Sequence, residues 1–118
     1  MAKRSVEDIR NIAIVGHGNS GKTTFVDHAL NAVGAADRPG SVEEGTSLSD
    51  WTEEEKKRQF SIESSVFHFD HAGNTFNLID TPGYLDFTGT AAAVLPAVET
   101  ALITVGADDG VRLNTRRM

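Results

Sequence analysis

The sequence predicts an α/β domain, an open and mostly parallel sheet flanked by helices, and three observations carry that prediction. A short apolar run, Asn11 to Val15, is bounded by glycine and too short for a helix, as a buried parallel strand would be. Straight after a glycine-rich turn, Phe25, Val26, Ala29, Leu30 and Val33 recur at helical spacing and mark one buried face. The remaining segments complete the order β-α-loop-β-β-α-β, which belongs to such a sheet.

Each later element has its own signal. Gly34 is placed to cap the first helix, and Asp37 to Ser41 reads as loop. From Pro39 to Ser49 the chain is polar and aperiodic for longer than an ordinary connection, which marks a functional or mobile loop. Asp50 to Arg58 predicts a short helix with Asp50 as N-cap and its acids ahead of its bases along the dipole. Ile62 to Phe69 and Thr75 to Ile79 predict strands joined as a hairpin through His71-Ala72-Gly73-Asn74. Asp80-Thr81-Pro82-Gly83 breaks the second strand, and Thr88 to Leu95 predicts an Ala-rich helix ended or kinked by Pro96. Ala101 to Val105 predicts another buried strand, closed by Gly106 to Gly110.

Composition excludes several functions. The 118 residues suffice for one small domain, and a formal net charge of −6 argues against a globally basic surface, so no direct binding of duplex DNA is expected. Lys56-Lys57-Arg58 and Arg112, Arg116 and Arg117 read as solvated surface. No apolar run approaches the roughly 18 residues of a membrane span, and the basic N-terminus has no apolar core behind it, so it is not a signal peptide. The absence of cysteine removes disulfides and thiolate metal sites and points to the cytoplasm.

Gly16-His17-Gly18-Asn19-Ser20-Gly21-Lys22-Thr23 fits G-x-x-x-x-G-K-[ST], the phosphate-binding loop, between a strand and a helix where that match has meaning. Gly16 and Gly21 permit tight turning, so that successive N–H groups face one anion. The helix that follows offers its dipole and free amides to phosphate. Lys22 supplies a charge to the outer phosphates, and the Thr23 hydroxyl is placed to ligate Mg²⁺. Asp80-Thr81-Pro82-Gly83 supplies a strand-end carboxylate to hold Mg²⁺ through water, and a glycine amide for the γ-phosphate. The chain is therefore expected to bind a purine nucleoside triphosphate with magnesium. His28, His68 and His71 read as surface or structural residues, Trp51 as a packing anchor for the loop helix, and His17 as a loop residue whose backbone matters more than its ring.

Gly16 to Thr24, then Asp50-Trp51 with Glu55, Arg58 and Ser61-Ile62, then Asn77 to Phe87, resemble the start of the G domain of translational GTPases in the pattern of elongation factor G. Arg38-Pro39-Gly40-Ser41-Val42, Gly45-Thr46 and Tyr84 are similar to the bacterial elongation factor G-like paralogues, and the residues around Asp50-Trp51 also resemble peptide chain release factor 3. The resemblance implies a phosphate-loop NTPase G domain over residues 11–118 after a lead-in of residues 1–10, with switch I at about 37–62 and switch II at about 80–90. It implies GTP or GDP and Mg²⁺ as ligands and the ribosome as partner. Gly16 to Thr24 would cradle the phosphates with the Gly83 amide, and Thr23, Ser61 and Asp80 would hold the metal. Asn19 stands where these factors usually carry aspartate, and its carbonyl would either hold a monovalent cation or make a loop hydrogen bond.

Tyr84 departs from the family's histidine, which orients the attacking water. A phenol, with a pKa of about 10, hydrogen-bonds water but carries no positive charge at neutral pH. Phe60 and Gly18 would form the apolar gate beside that water, and Gly18 has no side chain to contribute. Lys22 and Tyr84 are thus the catalytic candidates, with binding expected and hydrolysis expected to be slow. No Asn-Lys-x-Asp element reads the base in these residues, so guanine over adenine rests on the resemblance, and the G domain is expected to be truncated after the fourth strand. The open readings are a translational GTPase, a nucleotide-dependent regulatory module with negligible turnover, and an unrelated phosphate-loop ATPase.

Overall fold

In the computed structural model, which describes residues 5–38, 40–49, 51–58 and 61–118, the first apolar run is the centre of strand β1 (Ile9–Gly16). A 3-10 turn (Val6–Asp8) leads into it, closed by a capping box in which Ser5 and Asp8 exchange side-chain and backbone bonds. Helix α1 (Lys22–Ala32) follows the glycine-rich turn. It ends as Gly34 predicts: Gly34 has φ +78°, its N–H donates to Asn31, and the Ala35 N–H reaches back to the Leu30 carbonyl, which is a Schellman closure.

The predicted hairpin forms from β2 (Ser65–His71) and β3 (Asn74–Asp80), paired antiparallel in the register His71 to Asn74 through Ser65 to Asp80. Its turn places Ala72 as well as Gly73 at positive φ, 49° and 81°. The loop helix is α2 (Glu53–Arg58), with acids in its first turn and bases in its last. The Ala-rich helix is α3 (Thr88–Val94), and Pro96 falls in the 3-10 turn (Leu95–Ala97) that closes it. Strand β4 (Thr100–Thr104) completes a four-stranded sheet of order β2-β3-β1-β4 among the described residues, with β1 parallel to both β3 and β4. The mixed, mostly parallel sheet expected from the element order is therefore present.

The core lies between this sheet and α1. Ile14, Val26, Leu30 and Leu78 form its buried cluster, with Ile12, Ala29, Phe67 and Phe69 packed against it. Each fully buried aliphatic side chain contributes about 1.5–3 kcal/mol by leaving water. Ala13 and Val15 point to the opposite face and are fully buried as well. The parallel register aligns Ile14 with Asp80 and Gly16 with Thr104, so the glycine-rich turn and the Asp80 element emerge at one edge of the sheet. That edge, at the carboxyl ends of parallel strands, is where α/β sheets place ligands.

Several expectations need correction. Ala101 to Val105 is not a buried strand: Leu102, Ile103 and Val105 are 37%, 51% and 47% exposed, because β4 pairs only with β1 and no described element covers its outer edge. Phe25 leaves the buried face of α1 and is 43% exposed. Trp51 is not a packing anchor; it is 62% exposed. Asp50, expected as the N-cap of α2, lies outside the described residues; among those described, Thr52 caps the helix. The Thr52 hydroxyl accepts from the Glu55 N–H while the Glu55 carboxylate accepts from the Thr52 N–H, and that reciprocal pair takes the cap. A short helix, α4 (Leu113–Arg117), was not legible in the sequence pattern and lies against β1.

Candidate functional site

The glycine-rich turn folds tightly for reasons visible in its contacts. A Cβ on Gly16 would fall 2.6 Å from the Thr104 carbonyl oxygen and 2.9 Å from the Ser20 hydroxyl, so only glycine admits this approach. Ser20 and Thr104 share a 2.6 Å hydroxyl bond that ties the loop to the end of β4. Gly21, at φ +88°, is the N-cap of α1 and offers no side chain to its first turn. The leading N–H groups of α1 lack helical partners by geometry and face the loop without a cap. Asn19 sits at φ +61°, a left-handed conformation that asparagine tolerates better than most residues.

Lys22 is 6% exposed, and its Nζ donates to the His17 carbonyl at 2.8 Å, folding the ammonium back onto the loop. Burial pushes the Lys22 ammonium below its ordinary pKa, and the Asp80 carboxylate opposes that shift. The phosphate-loop residues Gly18, Asn19, Gly21, Lys22, Thr23 and Thr24 line a cavity of about 540 Å³, and Ser61, Thr81, Gly83 and Tyr84 line its other wall. His28 and residues 40–43 of the long loop complete the lining, so this exposed histidine stands at the cavity, although no metal cluster involves it among the described residues.

The predicted metal-side residues converge. The Thr23 hydroxyl donates to Asp80 Oδ2 at 2.6 Å and lies 3.1 Å from the Ser61 hydroxyl. Asp80 is fully buried and Ser61 is 7% exposed. A fourth oxygen, absent from the sequence motifs, joins them: the Ser49 hydroxyl donates to Asp80 Oδ2 at 2.5 Å. Ser49 is buried, and its carbonyl accepts from Ser65 of β2. The preceding residues are held by Asp27 of α1, whose carboxylate accepts the Leu48 N–H at 3.2 Å and a bond from the Ser47 side chain. Burial raises the Asp27 pKa, against those two bonds and the nearby His28. No sequence motif marks Ser49 or Asp27, because their roles depend on how the long loop folds back.

Beyond α2 the same loop is organised by Glu55. Its fully buried carboxylate accepts the N–H groups of Ile62 and Glu63 at 3.0 and 3.1 Å, next to Ser61. Burial alone would raise the Glu55 pKa; the Ile62, Glu63 and Thr52 bonds outweigh it and hold the carboxyl below its ordinary range. The spacing Thr52-x-x-Glu55 was a legible sign of the capping half of this role.

The Asp80-Thr81-Pro82-Gly83 element is fixed to β1 by the Thr81 hydroxyl, which donates to the Ile14 carbonyl at 2.7 Å. Gly83 is buried against the phosphate loop; a Cβ there would run into the Lys22 ammonium and the Gly18 amide. Tyr84 lies with its ring on Gly18, where an added Cβ would fall 2.9 Å from Cε2. The missing side chain at Gly18 is thus the space that the tyrosine ring fills. Phe60, expected opposite Gly18, lies outside the described residues. Elsewhere His68 Nδ1 bonds Asn77 across the hairpin at 2.9 Å, a structural role. The basic residues Lys56, Lys57, Arg58, Arg112, Arg116 and Arg117 are exposed, as expected of solvated surface.

A mostly parallel sheet with a phosphate loop after β1 and an aspartate at the end of β3 defines a phosphate-loop nucleotide-binding domain. Residues 7–118 match the Elongation factor Tu GTP binding domain, and the chain belongs to that family, the G domains of translational GTPases. It is 40% identical over 119 residues to peptide chain release factor 3 of Aromatoleum aromaticum, covering 98% of this chain and 22% of that protein. It is also 40% identical over 110 residues to the elongation factor G-like protein of Mycobacterium tuberculosis, covering 93% of this chain and 15% of that one. Among solved structures, a protein from Thermus thermophilus superposes with TM-score 0.88 at 41% identity, over 92% of this chain and 16% of the other. The bacterial selenocysteine-specific elongation factor superposes with TM-score 0.70 at 25% identity, over 91% and 16% of the two chains. This chain thus spans under a quarter of the length of these relatives. Among the described residues no helix is long and apolar enough to cross a membrane.

Proposed function

We propose that this chain is the GTP-Mg-binding switch module of an elongation factor G-like translational GTPase that acts on the ribosome. One observation carries the reading: the Thr23 and Ser61 hydroxyls and the Asp80 carboxylate meet within hydrogen-bond distance beside the phosphate loop. An all-oxygen set around a buried carboxylate suits a hard divalent cation, and the uncapped first turn of α1 suits phosphate. Thr23, Ser61 and Asp80 would hold Mg²⁺, Lys22 and the loop amides the phosphates, and Gly83 the terminal phosphate. When bound, the metal neutralises charge on the outer phosphates. Membership of the family supports guanine as the base and the ribosome as the partner. Asn19, exposed at the cavity, would take a monovalent cation or stay a turn residue.

Tyr84 supports slow turnover. Its ring rests on Gly18, and a phenol lends no positive charge to a developing transition state at neutral pH. Single-turnover GTP hydrolysis, with and without ribosomes, tests this reading. The expected result is tight GTP binding in competition with ATP, slow hydrolysis, and faster hydrolysis in Tyr84→His. Hydrolysis on ribosomes at an elongation factor G rate, with no gain from Tyr84→His, would overturn the slow-GTPase reading. A nucleotide-dependent regulatory module is the second reading, and the Tyr84–Gly18 packing favours it; undetectable hydrolysis with intact GTP binding would establish it.

A further inference from the structure

Asn114 belongs to no phosphate-binding or magnesium motif, yet it is fully buried and touches the switch. It lies on α4, and its Nδ2 donates to the Gly83 carbonyl at 2.9 Å. A carbonyl oxygen can only accept, so this bond fixes the orientation of the amide. Its Oδ1 then faces Thr88 at the start of α3, whose hydroxyl lies 3.2 Å away and also donates to the Leu85 carbonyl at 2.8 Å. One residue therefore bridges both ends of the segment from Gly83 to Thr88.

The consequence follows from peptide geometry. The Gly83 carbonyl and the Tyr84 N–H share one planar unit, so holding the oxygen sets the direction in which the chain enters Tyr84. The Tyr84 ring lies on Gly18, and Gly83 itself is wedged against Lys22 and the Gly18 amide from the other side. We propose that Asn114 is a positioning residue: its amide fixes the Gly83–Tyr84 peptide and thereby holds the Tyr84 ring on the phosphate loop. The inference rests on reading Gly83 and Tyr84 as part of a nucleotide switch. It adds α4, whose exposed face carries Arg116 and Arg117 after Arg112 at its N-cap, as an element that biases that switch from outside the cavity.

Tyr84 is the single tyrosine of this sequence, so labelling with 3-fluorotyrosine gives one ¹⁹F resonance that reports its ring. Without nucleotide, Asn114→Leu, similar in volume but unable to donate, is expected to raise the population of a second Tyr84 environment by about fivefold, the change that loss of one net hydrogen bond supports. Asn114→Gln, which keeps the amide, is expected to return the spectrum towards wild type. Thr88→Val, which strips the hydroxyl beside Oδ1, is expected to shift it in the same direction by less. The proposal is overturned if folded Asn114→Leu leaves the resonance unchanged, or if Asn114→Gln moves it as far as Asn114→Leu. Should Asn114→Leu fail to fold, an unchanged resonance in Thr88→Val overturns it. The spectra are then repeated with Mg-GDP and with a non-hydrolysable Mg-GTP analogue. A wild-type resonance that ignores both nucleotides refutes the switch reading, while the nucleotide-free comparison still decides whether Asn114 holds the ring.

Discussion

Replacing Glu55 with alanine removes the acceptor that organises the end of the long loop. Oε1 receives the N–H groups of Ile62 and Glu63, and Oε2 receives the N–H and hydroxyl of Thr52, at 2.9 to 3.1 Å. Bonds to an ionised group are worth about 1.5–3 kcal/mol each. Simple addition over these contacts overstates the loss, because Ile62 and Thr52 are only half-buried and Glu63 is exposed, so their amides regain water once the carboxylate is gone. The expected loss for Glu55→Ala is therefore about 2–4 kcal/mol, and for Glu55→Gln, which keeps an acceptor for Ile62 and Glu63, about 1–2 kcal/mol. Urea unfolding followed by Trp51 emission measures it, with amide exchange at Ile62 and Glu63 showing whether the segment opens locally. The sign of the pH dependence is fixed. The folded pKa of Glu55 lies below its ordinary value of 4.5, so its contribution is complete above that value. It is lost as pH falls through the lowered folded value, and the wild-type and alanine curves converge in acid. A Glu55→Ala protein within about 0.5 kcal/mol of wild type at neutral pH, or a gap that does not shrink in acid, would show that the ionised carboxylate does not hold this segment.

Three further outcomes are expected. Ser49→Ala leaves Asp80 Oδ2 with the Thr23 hydroxyl but without the Ser49 bond, and the magnesium concentration that half-saturates nucleotide binding is expected to rise about tenfold, the low end for loss of an outer-shell partner; a MgCl₂ titration measures it. Burial holds the Lys22 ammonium below 10.5, and a bound phosphate raises its pKa again, so nucleotide binding in the alkaline range takes up protons and weakens as pH rises through the free-site value. Calorimetry in two buffers of different ionisation enthalpy detects that uptake. Gly18→Ala places a methyl 2.9 Å from Tyr84 Cε2, so the ring must shift; the cost is about 1 kcal/mol, and it should vanish when Tyr84 is also alanine, as a double-mutant cycle in thermal unfolding will show.

The parts of the fold governed by local chemistry were legible in the sequence. The Gly16-to-Thr23 spacing, the cap at Gly34 and the turn before Asn74 are each set by a few neighbouring residues. Thr23 and Asp80 could be named because their motifs follow strand ends, which the parallel register brings together, and Ser61 because the family pattern places it. What was not legible depends on contacts across the chain. Ser49 and Asp27 act only once the long loop folds onto α1 and β2, and Asn114 only once α4 reaches Gly83. The apolar run Ala101 to Val105 predicted burial because its composition is that of a core strand, yet burial depends on a neighbour that no described element supplies. Trp51 failed for the same reason: an aromatic side chain signals packing, not where the packing surface is.

On the proposed function, the turn after β1 holds the phosphates of a magnesium-bound nucleotide. Amide chemical shifts of ¹⁵N-labelled protein, recorded on adding GTP with and without MgCl₂, test it most directly. The largest changes are expected on Gly18 to Thr24 and on Gly83, those on Thr23 and Asp80 should depend on magnesium, and Lys22→Ala should abolish them in a folded protein. Unchanged amides across Gly18 to Thr24 at saturating Mg-GTP would contradict it.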